Sequence, residues 1–136
     1  MSYCTTAIFA ITPTPASVIA GATLPLAQTA RRISPRLVLG SDSVTASVPG
    51  YYKVSATVTF TAPAAGVAEL ELHKNGVAVP GITSSESVVT ATTEVHTLTL
   101  EGIVRVMCGE TAILTLVNAG IAIDTSNIAL SVERID

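Results

Sequence analysis

Residues 44–61, VTASVPGYYKVSATVTFT, decide the fold class of this chain. After a Pro-Gly turn, apolar and polar residues alternate along this stretch. Successive side chains of a strand point to opposite faces, so the pattern predicts a strand with one buried face and one exposed face. The predicted buried set is Tyr52, Val54, Ala56, Val58 and Phe60, and the exposed set is Tyr51, Lys53, Ser55, Thr57, Thr59 and Thr61.

The composition indicates a single domain that associates with other chains. The chain has 136 residues, of which 49% are hydrophobic and 12% are charged. A typical soluble domain carries about 25% charged residues. A surface so poor in charge leaves apolar patches, which are typical of protein interfaces. The net charge of −3 does not favour binding to nucleic acid.

The N-terminus and the cysteines indicate synthesis in the cytoplasm. Residues 1–15, MSYCTTAIFAITPTP, lack the basic start and the apolar length of a signal peptide. The chain has no run of about 20 apolar residues, so we expect no membrane partner. Cys4 and Cys108 lie far apart without metal-type spacing, and we expect free thiols rather than a disulfide.

Turn-forming residues divide the rest of the chain into short predicted strands. Eight to ten such strands at this spacing predict an all-β sandwich or barrel. Residues 12–33 are expected to form a loop-rich excursion, because prolines do not donate to a strand ladder. The predicted strands are 5–11, 36–39, 43–48, 67–74, 77–79, 94–100, 103–107, 111–118 and 128–135. The predicted turns or loops include Asn75-Gly76, Pro80-Gly81, the polar segment 83–93, Glu101-Gly102 and 120–127.

Three segments resemble the tumour-necrosis-factor-like jelly-roll superfamily, which includes the globular head of the first complement component (its q subunit). Residues 47–60, SVPGYYKVSATVTF, are similar to its Pro-x-x-Gly-x-Tyr start of a core strand. Residues 68–79, AELELHKNGVAV, are similar to a hairpin with an Asn-Gly turn. Residues 96–118, HTLTLEGIVRVMCGETAILTLVN, resemble a pair of strands in which Gly102, Val106, Gly109 and Glu110 match the pattern. The segment 75–81, NGVAVPG, resembles bacterial and bacteriophage members of the superfamily more than animal ones.

The resemblance implies an antiparallel jelly-roll β-sandwich that assembles as a homotrimer and serves as a surface-exposed head. On this basis we expect one domain. Residues 1–36 would form a proline-containing strand and arm, packed on or clasping the domain, and residues 37–136 would form the jelly-roll core. The arm is a candidate for attachment, and loops 80–93 and 118–127 are expected to face outward.

Strands that are apolar on both faces indicate the candidate trimer interface. Val104 and Val106 alternate with Ile103 and Met107, and Leu114 and Leu116 alternate with Ile113 and Val117. If one set faces the core, the other faces a second dry environment, which is either a trimer axis or a covering loop. The interface candidates are Tyr51, Ile103, Met107, Ile113 and Val117.

One basic cluster is a candidate for docking to an acidic partner. Arg31, Arg32 and Arg36 account for three of the seven Lys and Arg residues. The cluster contains no aromatic residues, so its alternative interpretation is a solvated loop.

Metal-binding and catalytic patterns are weak. Asp124 and Asn127, with Ser126, offer oxygen ligands of the kind that calcium prefers, although a turn that leads into a strand is the favoured explanation. Glu69, Glu71 and His73 share one strand face, which could bind a cation or simply be solvated. His73 and His96 are expected to face solvent. We therefore expect no cofactor and no metal, and an enzyme is the least supported class.

The sequence accordingly predicts a non-enzymatic structural or interaction protein. Its expected setting is a bacteriophage virion surface, as a capsid-decorating protein or fibre head whose partners are itself and a capsid or other virion protein. The alternative is a receptor- or glycan-binding head of a phage tail or of a bacterial or spore surface.

Overall fold

The protein folds entirely into β-strands over the residues that the computed structural model describes, which are 6–33 and 36–135. This confirms the all-β prediction. The strands in chain order are β1 (Ala7–Thr12), β2 (Ala16–Val18), β3 (Gln28–Ile33), β4 (Leu37–Leu39), β5 (Val44–Ala46), β6 (Gly50–Thr61), β7 (Gly66–Lys74), β8 (Val77–Val88), β9 (His96–Val106), β10 (Ala112–Asn118) and β11 (Ile123–Arg134).

Two antiparallel sheets form the sandwich. The six-stranded sheet has the order β3-β1-β11-β6-β9, with β2 beside β11, and the five-stranded sheet has the order β4-β5-β10-β7-β8. Apart from the consecutive pairs β4-β5 and β7-β8, most neighbouring strands come from distant parts of the chain, as a jelly roll requires. The last strand, β11, lies between β1 and β6 and is therefore central in its sheet.

The alternation in β6 matches the prediction. All five apolar side chains of its inward face are 0–2% exposed. Each pairs with an inward residue on a neighbouring strand, as Val58 does with Ile128 and Leu98. Burying one such side chain contributes about 1.5–3 kcal/mol, so this face is a major part of the core.

The loop-rich excursion predicted for residues 12–33 is wrong in part, because this segment contains β2, β3 and several core residues. Val18, Leu24 and Leu26 are buried in the core. The Leu24 backbone N–H donates to the Leu116 carbonyl at 2.8 Å, and β2 pairs with β11. These apolar positions stand between prolines, which concealed the strand pattern. The described part of residues 1–36 therefore packs on the rest of the domain, while its role in attachment stays a prediction.

The Pro80-Gly81 pair does not end a strand as predicted, because a bulge accommodates it. Ala78 lies opposite His73 and Thr83 lies opposite Glu71, so β8 carries several extra residues over this interval. Beyond the bulge β8 continues to Val88. The predicted connection over residues 83–93, and with it the expected outward loop 80–93, is therefore wrong as far as residue 88.

The predicted Glu101-Gly102 turn is also wrong, and the predicted loop at 120–127 is wrong from residue 123 onward. Strand β9 runs without interruption from His96 to Val106. Gly102 is present for close packing, because a Cβ there would lie 2.4 Å from Ile82 Cγ1 on the opposite sheet. Strand β11 already begins at Ile123, where Ile123 and Thr125 are buried.

Candidate functional site

The outward surface of the six-stranded sheet is the most distinctive surface of the protein, and we call it the outer face. Pairing aligns its side chains in rows that cross the strands. One row contains Phe9, Ser131, Ser55 and Glu101 on β1, β11, β6 and β9. The next row contains Ile11, Ala129, Thr57 and Thr99. The centre of the outer face thus consists of small uncharged side chains.

Large apolar side chains flank this flat centre. Phe9 on β1 is 40% exposed and Ile103 on β9 is 59% exposed. Charged groups lie toward one end of the outer face, where Lys53 Nζ is 3.4 Å from Glu101 Oε2. Small neutral side chains permit a second polypeptide to approach closely, and large exposed apolar groups lower free energy when they are covered. The outer face can therefore bind another chain.

Three of the five interface candidates lie together at one end of this sheet. Tyr51 is paired with Arg105, and its neighbour Lys53 is paired with Ile103. Met107 directly follows β9 and is 55% exposed. The Arg105 guanidinium carbon lies 5.8 Å from the centre of the Tyr51 ring, which is cation–π geometry.

The other two candidates lie on the opposite side of the sandwich. Ile113 and Val117 belong to β10 in the five-stranded sheet, where they point away from the core. Val117 is paired with Glu71, and His73 Nε2 lies 3.0 Å from Glu71 Oε1 on the same strand. No single surface can include both groups of candidates. Alternation identified which residues point outward but did not show which sheet each strand joins.

The basic cluster lies mostly on a strand rather than in a loop. Arg31 and Arg32 belong to β3, an edge strand of the six-stranded sheet, and both are exposed. Arg36 stands just before β4 and is close enough to Tyr52 to oppose the rise that burial causes in the pKa of that phenol. Docking of these three residues to an acidic partner stays a prediction.

The proposed oxygen ligands also belong to a strand, so the loop expected to hold them is wrong. Asp124 and Asn127 lie on β11 with an irregularity between them. The Ser17 hydroxyl donates to Asp124 Oδ1 at 2.9 Å, which ties β2 to β11. Within residues 6–33 and 36–135, no three His, Cys, Asp or Glu side chains are placed to hold a metal ion.

A carboxylate–histidine cluster was missed by the sequence analysis. His96 was expected to face solvent, yet its side chain is only 11% exposed. Its Nδ1 lies 2.8 Å from Glu86 Oε1, its Nε2 contacts Glu94, and its ring stacks on Phe60. The hydrogen bond to Glu86 raises the pKa of His96, against an opposing effect of burial. No sequence spacing indicates this cluster, because β8 and β9 meet across the two sheets.

The remaining predictions concern the two cysteines and membrane-spanning segments. Cys108 is exposed and is not part of a disulfide. Cys4 lies outside the described residues, so the structure does not test its state. In the part of the chain that the structure describes, no helix is long and apolar enough to cross a membrane.

The chain resembles known proteins in its structure. No model of a known protein family matches the sequence. No curated protein matches it either. The Eiger tumour necrosis factor of S. frugiperda superposes with a TM-score of 0.76 at 13% identity, covering 97% of this chain and 92% of that one.

Two further solved structures extend this likeness. The globular domain of zebrafish complement 1qA superposes with a TM-score of 0.68 at 8% identity, covering 93% of this chain and 94% of that one. The PRD1 vertex protein P5 superposes with a TM-score of 0.57 at 17% identity, covering 96% and 97%. The chain therefore has the tumour-necrosis-factor-like jelly-roll fold.

Proposed function

We propose that this chain is a non-enzymatic, homotrimeric head on the surface of a virion, with a structural or interaction role. The observation that carries the proposal is the outer face, where Phe9 and Ile103 flank a flat centre of half-buried small residues. Such a surface costs free energy when it is left in water, so it favours association with a second chain.

The position of β9 supports a closed ring rather than a two-fold dimer. This strand is the last in the six-stranded sheet, and it carries Ile103 at that edge. A long edge strand with exposed apolar side chains usually needs a cover. If the β9 edge of one protomer packs on the outer face of the next, the contact joins two different patches, and such a contact forms a ring when the rotation between protomers closes.

Two considerations support a virion as the setting. The chain shares its fold, over nearly all its length, with a vertex protein of PRD1. Its composition, with 12% charged residues, suits a protein that spends its working life in an assembly. Detection of the chain by mass spectrometry in purified virions would support this setting, and its absence from them would contradict it.

The outer face is tested by one pair of matched substitutions. Ser55 and Thr115 are half-buried and point outward from the middle of the two opposite sheets. We expect Ser55→Arg to yield monomers, because a long charged side chain would hold two protomers apart. Thr115→Arg should leave the trimer intact. Light scattering during size-exclusion chromatography measures both masses, and a trimeric Ser55→Arg variant would contradict the proposal.

A further inference from the structure

The imidazole of His96 contacts two carboxylates at once, one at each ring nitrogen. Nδ1 lies 2.8 Å from Glu86 Oε1, and Nε2 contacts Glu94 Oε1. An ionised carboxylate only accepts hydrogen bonds, and a neutral imidazole carries a single N–H. Both contacts are therefore hydrogen bonds only while the ring carries two protons. The neutral ring has to turn the lone pair of one nitrogen toward a carboxylate.

The surroundings of the ring contain no competing charge. Within residues 6–33 and 36–135, no ion pair or hydrogen bond joins His96 to a charged group other than Glu86 on β8 and Glu94 in the loop between β8 and β9. From β6, Phe60 stacks on the ring and does not titrate. The hydrogen bond to Glu86 raises the pKa of His96 against the effect of burial, and the bond to Glu94 acts in the same direction.

Glu94 is fixed by contacts that do not depend on the imidazole. Its Oε1 accepts a hydrogen bond from the Val89 backbone N–H at 3.3 Å, and its Oε2 accepts one from that of Thr90 at 3.2 Å. The same loop is held to the sandwich by the Thr92 backbone N–H, which donates to the Ala62 carbonyl at 2.8 Å. Glu94 therefore stays beside Nε2 in both charge states of the ring.

Glu86 has no such second support. In the part of the chain that the structure describes, His96 is the one hydrogen-bond partner of its carboxylate. The Glu86 side chain is 40% exposed, so it can rotate into water with little loss of hydration. Because an unprotonated Nδ1 and a carboxylate are both acceptors, nothing holds them together. The neutral ring is therefore expected to keep its proton on Nε2 and to lose Glu86.

The contact between His96 and Glu86 closes one end of a seam, which is the line where β8 (Val77–Val88) and β9 (His96–Val106) meet. These two are edge strands of opposite sheets. Among the described residues, this contact is the one ion pair between strands of the two sheets. Toward the other end, Lys74 Nζ donates to the Arg105 carbonyl at 2.6 Å. That link involves no histidine, so release of Glu86 loosens the seam at one end only.

We propose that His96 is a pH-operated latch between the two sheets, which closes the seam while its ring carries two protons and releases Glu86 when the Nδ1 proton is lost. Glu94 and its loop stay in place in both states. The latch opens as pH rises, and the change is local rather than an unfolding of the domain. This inference goes beyond the proposed function, because all groups of the latch belong to one chain and none belongs to the outer face.

Nitrogen NMR of the full, isotope-labelled chain in its native oligomeric state reads the protonation of the ring directly. We expect both ring nitrogens of His96 to be protonated below the transition and Nε2 alone to be protonated above it. The chain has two histidines, so His73→Gln leaves one and assigns the signals. A neutral ring with its proton on Nδ1 would overturn the proposal.

Hydrogen exchange tests whether the seam opens. As pH rises through the transition, we expect the amides of residues 84–88, at the end of β8, to lose protection by about tenfold or more. In Glu86→Gln the side-chain amide can donate to an unprotonated Nδ1, so protection should change by less than about twofold. The matched control is Glu69→Gln, which alters an outward carboxylate of β7 and should keep the wild-type loss.

Each variant is compared with the wild type at the same pH, which removes the intrinsic pH dependence of exchange. Constant protection of residues 84–88 in the wild type, or a Glu86→Gln variant that loses protection as the wild type does, would overturn the proposal. A simultaneous loss across β6 would indicate global unfolding and would also overturn it. None of these results depends on the number of chains in the assembly, so this inference and the proposed function fail separately.

Discussion

The imidazole of His96 joins the two sheets through Glu86, since Nδ1 of the histidine lies 2.8 Å from Oε1 of the carboxylate. His96 begins β9 in one sheet, and Glu86 lies near the end of β8 in the other. Glu94 contacts the second ring nitrogen and accepts hydrogen bonds from the backbone N–H groups of Val89 and Thr90. One protonated imidazole therefore links both sheets and the loop between β8 and β9.

This cluster makes the stability of the protein depend on pH. Because the pKa of His96 is raised, its contribution is fully present below its unfolded value of about 6.5 and is lost as pH rises through the folded value. The hydrogen bond from the Val89 backbone N–H and the further contacts with His96 and Thr90 lower the pKa of Glu94. The contribution of Glu94 is therefore present above its ordinary value and is lost only as pH falls through the lowered one.

We expect the melting temperature of the wild-type protein to fall as the pH rises above about 6.5, because the raised pKa of His96 places the loss of its proton above that unfolded value. His96→Gln should abolish most of this decrease. His73→Gln, which leaves the cluster intact, should retain it. Thermal denaturation followed by circular dichroism measures all three proteins. An unchanged pH profile in His96→Gln would show that the cluster does not contribute.

Asn118 is the buried polar residue that holds the N-terminal segment to the core. Its side-chain amide donates to the carbonyls of Val18, Ile19 and Ile121 at 3.2, 3.3 and 2.9 Å. Asn118→Ala leaves these buried acceptors without their donor, so we expect the free energy of unfolding to fall by about 3 kcal/mol. Urea denaturation measures the change. The exposed Asn127→Ala should change it by less than about 0.5 kcal/mol, and similar losses in the two variants would contradict this role.

Gly120 permits the loop between β10 and β11 to lie close to the backbone of β7. A Cβ at this position would lie 2.5 Å from both the Glu69 amide nitrogen and the Val67 carbonyl oxygen. Backbone atoms cannot rotate away as a side chain does, so we expect Gly120→Ala to cost about 3 kcal/mol. Gly76→Ala meets no atom within 4 Å and should cost only about 1 kcal/mol for its left-handed backbone. Chemical denaturation that gave the reverse order would refute this explanation.

The phenol of Tyr52 secures the start of β6. It is fully buried, and its hydroxyl donates to the Val48 carbonyl at 2.7 Å. Tyr52→Phe keeps the ring but removes this bond, so we expect a loss of about 1 kcal/mol in the free energy of unfolding. The adjacent Tyr51→Phe is the matched control, since Tyr51 is 42% exposed and should tolerate the change. Equal effects of the two substitutions would mean that the Val48 bond is unimportant.

The sequence predicted those elements whose pattern is local. The alternation of β6 and the Asn75-Gly76 hairpin depend only on neighbouring residues, and both are present. Pro80-Gly81 and Gly102 misled the prediction for a physical reason. A bulge accommodates Pro80-Gly81 within β8, and Gly102 makes room for Ile82 from the other sheet. Neither circumstance is visible in a one-dimensional pattern.

The candidate sites were predicted less completely, because each depends on contacts between distant strands. Tyr51, Ile103 and Met107 lie near one another, since β6 pairs with β9. Ile113 has the same alternation, but it belongs to the other sheet. The cluster around His96 arises only when the ends of several strands meet. Alternation shows which way a side chain points, but it does not identify the strand beside it.

The most direct test of the central claim is the mass of the wild-type chain in solution, measured by sedimentation equilibrium. The account predicts a single species with the mass of three chains of 13.9 kDa each, stable on dilution. A species with the mass of one chain at all concentrations would contradict it, because the outer face would then be exposed to water without a partner.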